Sequence, residues 1–355
     1  MTTRANLSLP SAGRQAGPGL TSGSARERLA LGPSSQLGCW WVLAPFLLTA
    51  CDGPQSALST GGADAAQLDR LFTVMLVGAV VLWLGINGLF LYATRRGGRP
   101  VSRGWAEALI IGGGIGLPVV VLTALLSYGL SIMPDQRAVG EGLRLRVTGE
   151  EFWWRVEYWP DGADAPIVAA NEIRLPVGQR TEIELASTGV IHSLWLPALG
   201  GKTDMIPGRI NRMSLHPTQE GLWRGQCAEF CGLSHALMAL QAVAMEEGDF
   251  RDWLAREAAP AGGAGGAGAA IFAAQGCGAC HAVRGTGARG AVGPDLTHLG
   301  ARGSVAAGIL PMTPEAIADW IRDPAAFKPG VRMPAYAHLP EDELTALADW
   351  LWSLK

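Results

Sequence analysis

The sequence predicts a multi-domain membrane protein: a two-helix transmembrane hairpin, then an all-β sandwich or barrel, then a small all-α domain. Three observations carry this reading. Two long runs, Leu71 to Thr94 and Ala108 to Met133, hold no charged residue, and each is long enough to cross a hydrocarbon layer of ~30 Å. From about Glu141, short segments alternate apolar and polar residues between Gly and Pro, as half-buried strands do. After a Gly/Ala stretch, Cys277-Gly-Ala-Cys280-His281 opens a final segment whose remaining pattern is helical.

Composition sets the limits. The chain has 355 residues, enough for two or three domains. A net charge of −3 is too small to argue for nucleic acid or any strongly charged partner. Only 17% of residues are charged and the mean hydropathy is positive, which points to membrane attachment. The six cysteines are Cys39, Cys51, Cys227, Cys231, Cys277 and Cys280. Four of them form two close pairs beside His and Met, a cofactor pattern rather than a disulfide framework.

In chain order, residues 1–50 read as a leader ending in a lipoprotein-type signal peptide. Residues 1–38 are rich in Gly, Ser, Pro, Ala and Arg without apolar period. Arg26 and Arg28 then precede an apolar run, Cys39 to Cys51, too short to span a bilayer. Its Leu48-Thr49-Ala50-Cys51 ending resembles a bacterial lipobox, which implies cleavage before Cys51 and lipidation of its thiol; a plain signal peptide and an unprocessed start are the alternatives. The hairpin occupies 51–135, with spans at about 71–94 and 108–133. Gly112, Gly113, Gly114 and Pro118 are tolerable inside a membrane helix. Arg95, Arg96, Arg99 and Arg103 lie in the short connection, which the positive-inside rule places in the cytoplasm. Both chain ends are then on the outer, periplasmic side of a bacterial inner membrane.

A β domain follows over 141–250. Its expected strands include Leu143–Val147, Phe152–Trp159, Glu172–Leu175, Glu182–Leu185, Ile210–Leu215 and Leu240–Met245. Residues 256–269 read as a flexible Gly/Ala linker and 270–355 as the helical domain. Helices are expected over Ala269–Gln275, over Pro314–Ile321 after an N-capping Thr313, and over Glu341–Leu354 after Pro340.

The densest chemistry lies in Cys227-Ala-Glu-Phe-Cys231-Gly-Leu-Ser-His235-Ala-Leu-Met238, with His192 upstream. Thiolate and thioether are soft ligands, and imidazole suits copper as well as zinc. A Cys227–Cys231 disulfide is one alternative in an oxidising compartment, but it leaves His192, His235 and Met238 unexplained. Structural zinc is another, and it has little use for Met. A single blue copper needs one Cys only, whereas two Cys four residues apart can bridge two coppers.

The run from His192 to Asn211, with Lys202-Thr-Asp-Met-Ile-Pro-Gly-Arg, and the run from Gly225 to Met238 resemble cytochrome c oxidase subunit II. The resemblance covers residues 71 to about 250 and implies a cupredoxin-like domain. It implies a dinuclear copper A centre held by His192, Cys227, Glu229 through its main-chain carbonyl, Cys231, His235 and Met238. The Glu229 side chain would face a magnesium ion at the contact with subunit I; a carboxylate at such a place is otherwise more often a solvated charge. Family members that accept electrons from a separate cytochrome c carry an aromatic run whose first member is usually Trp. Aligned on Gly149, this chain has Phe152-Trp153-Trp154 instead, which fits a chain that brings its own cytochrome. An aromatic cluster packed at the membrane interface or on subunit I is the alternative.

The C-x-x-C-H motif is a haem attachment signal. Cys277 and Cys280 would form thioethers and His281 would be the axial ligand, placed directly after the second Cys so that its imidazole reaches the iron. A thioredoxin-like pair would want a βαβ context that is missing here. The sixth ligand is expected to be Met333, in Lys328-Pro-Gly-Val-Arg-Met-Pro, ahead of Met312, His298 and His338; Met/His ligation raises the potential of a haem. Residues 270–355 resemble a class I cytochrome c, and more closely the fused domain of caa-type oxidases, on Gly293-Pro-Asp-Leu-Thr-His and the Met333 loop. Phe272 and Trp350 are expected core partners.

These readings together predict subunit II of a terminal oxidase carrying its own haem c. It would hand electrons to copper A and then to haem a of subunit I, where oxygen is reduced to water. Subunit III is a further expected partner. The donor would be a soluble or membrane cytochrome c, or the cytochrome bc complex. No residue here is placed to activate oxygen, so the chain is an electron conduit whose cofactors do the chemistry. A copper-delivery or storage cupredoxin is the first alternative, and its lack of need for a haem argues against it. A structural, quinol-oxidase-like subunit is the second, and the full ligand set argues against that.

Overall fold

The computed structural model describes residues 53–355 except 99, 141–142 and 264. The leader and the lipidation expected at Cys51 lie outside the described residues. Helix α1 spans Ala63–Arg95. The second apolar segment is continuous but changes pitch: α2 (Arg103–Glu107), a π-helical stretch (Ala108–Gly116) and α3 (Leu117–Gln136). The π-helical stretch contains the three consecutive glycines, whose missing side chains remove the crowding that holds a helix at the usual pitch. Both helices are long and apolar enough to cross a membrane. Each runs past its uncharged core at both ends, because helix continues into the flanking charged turns.

The start of the first helix is fastened to the β domain. Asp64, 1% exposed, accepts two bonds from the Arg180 guanidinium at 2.9 Å each. Gly62 pairs with Pro217 as an isolated bridge. A Cβ at Gly62 would meet the Leu199 carbonyl oxygen at 2.5 Å, so only glycine lets the chain approach this closely.

Ten strands form two five-stranded sheets, a cupredoxin-like sandwich. They are β1 (Arg144–Glu150), β2 (Trp153–Trp159), β3 (Ile167–Ala170), β4 (Glu172–Pro176), β5 (Thr181–Ser187), β6 (His192–Trp195), β7 (Thr203–Met205), β8 (Asn211–Leu215), β9 (Gly221–Cys227) and β10 (Ala239–Met245). One sheet has the order β3-β2-β1-β5-β8 and the other β4-β10-β9-β6-β7. Period-two patterning decides which side chains face inward: Leu145, Val147, Trp154, Val156 and Tyr158 are fully buried, and Leu145 lies opposite Tyr158, Val147 opposite Val156.

Helix α4 (Glu247–Ala258) closes the sandwich, with Phe250 and Trp253 in its core. This corrects two expectations. The β domain's core does not end at residue 250, and Arg256–Ala258 are helical, not linker. Alanine and arginine there are good helix formers, and the buried aromatics anchor the preceding turns. Helix α5 (Ala267–Ala274) takes up the other end of the expected linker. Between them Ala261 is buried and its N–H donates to the Arg284 carbonyl at 2.9 Å, so the connection is pinned midway.

The last segment adds a two-stranded ribbon, β11 (Ser304–Val305) with β12 (Leu310–Pro311), then α6 (Pro314–Arg322), α7 (Pro324–Phe327) and α8 (Glu341–Ser353). Thr313 caps α6 by accepting from the Ala316 N–H. The core joins Phe272 on α5 to Trp350 on α8, ring centroids 5.2 Å apart, with Leu344, Leu347 and Leu351. This domain rests directly on the sandwich. Arg155 donates to the Ala291 carbonyl at 2.7 Å, the Gly303 N–H to Glu172 at 3.0 Å, Arg224 to the Gly308 carbonyl at 3.2 Å, and the Ala239 N–H to the Ala307 carbonyl at 3.2 Å.

Candidate metal centre and haem cleft

Cys227 ends β9, His192 begins β6, and these strands pair side by side, Leu194 opposite Cys227. The loop after Cys227 returns at Met238, whose carbonyl accepts from the Cys227 N–H at 3.0 Å. Gly232 turns the loop at φ +129°, and His235 opens a short 3-10 turn, His235–Leu237. Strand pairing and loop closure therefore bring six donors together. The Cys227 and Cys231 sulfurs are 3.8 Å apart. Cys227 Sγ lies 3.7 Å from His192 Nδ1 and 3.2 Å from the Glu229 carbonyl. Cys231 Sγ lies 3.6 Å from His235 Nδ1 and 3.9 Å from Met238 Sδ.

The arrangement is two-sided: each sulfur has its own imidazole and its own weaker donor. Two sulfurs bound at about 2.3 Å to one tetrahedral ion are ~3.8 Å apart, and sulfur and nitrogen on such an ion ~3.5 Å apart. The spacings thus fit metal bridged by both sulfurs. A disulfide would need about 2.05 Å. His192, Cys227 and Cys231 lie within 4.8 Å of one another, and His235 is outside that set. One closed tetrahedral ion taking both imidazoles would need all four together, so two ions suit the donors better. Hydrogen bonding between the sulfurs splits their acidities: it pulls Cys227 down, with help from His192, and pushes Cys231 up, with help from burial. Metal binding needs both sulfurs as thiolates, so it releases whatever proton the pair still holds.

The rest of the site is steric. A Cβ on Gly149 would lie 2.7 Å from two His192 ring atoms, so this glycine makes room for the imidazole. Trp154, fully buried, lies behind it at 6.2 Å between centroids and donates its indole N–H to the Ala239 carbonyl at 3.0 Å. The three aromatics singled out in sequence do not form one patch. Trp154 faces inward, while Phe152 and Trp153 line the neighbouring cleft, and Trp153 carries the Arg155 guanidinium 4.8 Å from its ring centre.

That cleft belongs mainly to the helical domain. Cys277, Cys280, His281 and Met333 all line it, with Leu296, Leu299, Val305, Ile317, Ile321 and Val331 as apolar wall. Gly276, at φ +70°, ends α5, and the following turn bonds the Cys280 N–H to the Cys277 carbonyl at 3.2 Å and the His281 N–H to the same carbonyl at 3.0 Å. His281 Nδ1 meets the Pro294 carbonyl at 2.7 Å, which orients the ring and leaves Nε2 free. Burial pulls its pKa down, favouring the neutral, ligating form. A Cβ on Gly293 would come within 2.5 Å of the ring. The donor set and apolar walls suit a haem tethered at two thiols. Of the four candidates for the sixth position, Met333 alone lines the cleft. His298 bonds to the Ala259 carbonyl, His338 to Gln275, and Met312 packs on the helical core.

Comparison with known proteins places both sites in matched segments. Residues 156–245 match the family description "Cytochrome C oxidase subunit II, periplasmic domain", and residues 266–355 match "Cytochrome c". Cytochrome c oxidase subunit 2 of Alkalihalophilus pseudofirmus is 39% identical over 226 residues, 62% of this chain and 64% of that protein. The protein of the same name from Bacillus sp. (strain PS3) is 32% identical over 249 residues, 66% of this chain and 68% of the relative. The crystal structure of the periplasmic domain of subunit II of cytochrome oxidase of Bradyrhizobium japonicum is 28% identical and covers 34% of this chain and 96% of that one, with a TM-score of 0.32.

Proposed function

Because the chain belongs to the cytochrome c oxidase subunit II family and ends in a cytochrome c domain, we propose that it is the electron conduit of a membrane-bound terminal oxidase. Electrons would reach the helical domain from a cytochrome c or the cytochrome bc complex, pass to the sandwich, and leave for haem a in subunit I, beside subunit III. The two apolar helices would hold the chain in the bacterial inner membrane with both domains on the periplasmic side.

Bound copper and haem would supply one-electron chemistry. The chain's own residues supply the holding and the tuning. Cys227, Cys231, His192, His235, Met238 and the Glu229 carbonyl would hold the copper. Cys277 and Cys280 would tether the haem, and His281 and Met333 would be its iron donors. Glu229 is half-buried beside the exposed Phe230, and its carboxylate would help hold a magnesium ion at the contact with subunit I.

The observation that carries this reading is the pairing of each sulfur with its own imidazole, next to a cleft holding a second complete ligand set. Electron paramagnetic resonance with metal and haem analysis tests it on the purified full-length chain. One electron shared over two coppers, with one haem per chain, is the expected result. Zinc, or an intact Cys227–Cys231 disulfide without metal, would overturn it.

A further inference from the structure

Lys328 is one of three lysines in the chain and the only one that is buried, at 2% exposure. Its Nζ donates to the Phe152 carbonyl at 2.7 Å and to the Ala306 carbonyl at 3.1 Å. The first acceptor belongs to the sandwich, the second to the helical domain. Among the described residues no carboxylate pairs with it. A methionine of similar volume would fill the space without burying a polar group, which is costly to bury. What the lysine adds is a donor that crosses the seam between domains.

The place it crosses lies between the two sites. The Phe152 ring lies against Gly232, next to Cys231: a Cβ on Gly232 would meet it at 3.1 Å. The same ring would stand 3.5 Å from a Cβ on Gly330, and Leu233 would stand 3.2 Å from it. Gly330 belongs to the loop that leads to Met333. The loop is fixed at two further points: Ser234 donates to the Pro329 carbonyl at 2.7 Å, and Arg332 pairs with Glu151 at 3.2 Å on the rim.

We propose that Lys328 is a positioning residue for electron passage: its terminal amine clamps the Met333 loop to the main chain of Phe152, beside the Cys231 loop, and so fixes the separation of the two redox sites. This rests on the conduit reading given above. Burial pulls the amine down to about 7 against an opposing pull from Cys231, so it is retained at an energetic cost, as a group kept for geometry would be.

The test uses the purified full-length oxidase. Acylation with an amine reagent, read by mass spectrometry, should modify Lys202 and Lys355 and spare Lys328; Lys328 modified as fast as the other two would overturn the clamp. Lys328→Met keeps the volume and removes the donor. It should slow haem-to-copper transfer after flash reduction by more than the roughly twofold allowed to a surface variant, because the donor that ties the Met333 loop to Phe152 is lost. Haem and copper spectra should be unchanged. Lys355→Met, at an exposed lysine away from the seam, should stay within about twofold of the parent. A folded Lys328→Met with the parent rate would overturn the positioning role, and should that variant fail to fold, the acylation result on the parent protein decides. Protected Lys328 in a parent that shows no transfer at all would instead sink the conduit reading and leave the clamp standing.

Discussion

Gly149→Ala is the sharpest test of the metal centre, because it replaces no donor residue. The new Cβ would lie 2.7 Å from His192 Cδ2 and Cγ and 2.9 Å from its Cβ. Carbon atoms prefer about 3.5 Å or more, so something must retreat by roughly 0.8 Å. The strand cannot move cheaply: Gly149 is paired with Trp154 on one side and Ser187 on the other. His192 is held by its pairing with Met205 and backed by Trp154. The overpacking costs about 1–3 kcal/mol, which a folded domain survives. A ligand, however, must sit within ~0.2 Å of its proper distance. The displacement is several times that tolerance, so copper affinity should fall by roughly 10–100-fold, and the shared-electron signal should weaken or change shape. Gly248→Ala is the control, since nothing lies within 4 Å of its Cβ. Copper titration followed by paramagnetic resonance reads both variants. Full copper occupancy with an unaltered signal in Gly149→Ala would refute His192 as a ligand.

Four further outcomes are expected from the same geometry. Gly293→Ala should drive the His281 ring off the Pro294 carbonyl, leaving haem attached at Cys277 and Cys280 but with an altered axial spectrum; an unchanged low-spin spectrum would refute this. Asp64→Ala should cost about 1–3 kcal/mol by leaving the half-buried Arg180 guanidinium with Ser214 as its remaining side-chain partner, and adding Arg180→Met should recover part of it, as denaturant unfolding would show. Lys328 has a folded pKa near 7 against an ordinary 10.5, so the unfolded chain binds more protons between those values and stability rises with pH across that window, by up to ~1.4 kcal/mol per pH unit. Lys328→Met should lose that slope, and an equal slope in parent and variant would count against it. Inserting about ten Gly/Ser residues between Gly262 and Gly263 should leave intramolecular transfer within about twofold, whereas a free tether would lose rate as the length grows.

Most of the architecture is legible because it rests on local chemistry. The two apolar runs, the Thr313 cap and the inward alternation at Leu145 and Val147 all act within a few residues. The donor set is legible for the same reason: soft ligands crowd one loop, and His281 follows Cys280 directly. What sequence reasoning missed lies in long-range pairing. Strands β6, β7 and β9 are short or irregularly patterned, and β6 is held on one side by a strand far along the chain, with Leu194 opposite Cys227. The bond from Arg180 to Asp64 joins segments 116 residues apart, and nothing near either residue announces it. Gly149 served only to align an aromatic run, although its missing side chain is what admits His192. Lys328 was visible within Lys-Pro-Gly-Val-Arg-Met, but as loop; its partner Phe152 is 176 residues away.

The stretch 256–269 shows how composition misleads about mechanism. Gly and Ala suggest a tether, and a tether suggests electron transfer limited by encounter within a mobile volume. The structure favours another economy. Helix α4 and the buried Ala261 shorten the free chain, and the seam is then made mostly of side chains reaching backbone carbonyls. Each such bond contributes only about 0.5–1.5 kcal/mol net. Because the linker has already removed most of the entropy of association, a handful of them suffices to hold one orientation. Backbone acceptors also sit at fixed points on rigid strands and turns, so they define register better than two flexible ionic side chains would. Specified this way, the cleft that holds His281 and Met333 faces the Cys231 loop across Phe152. On the conduit reading proposed above, the distance an electron crosses would then be a property of the fold and not of the linker.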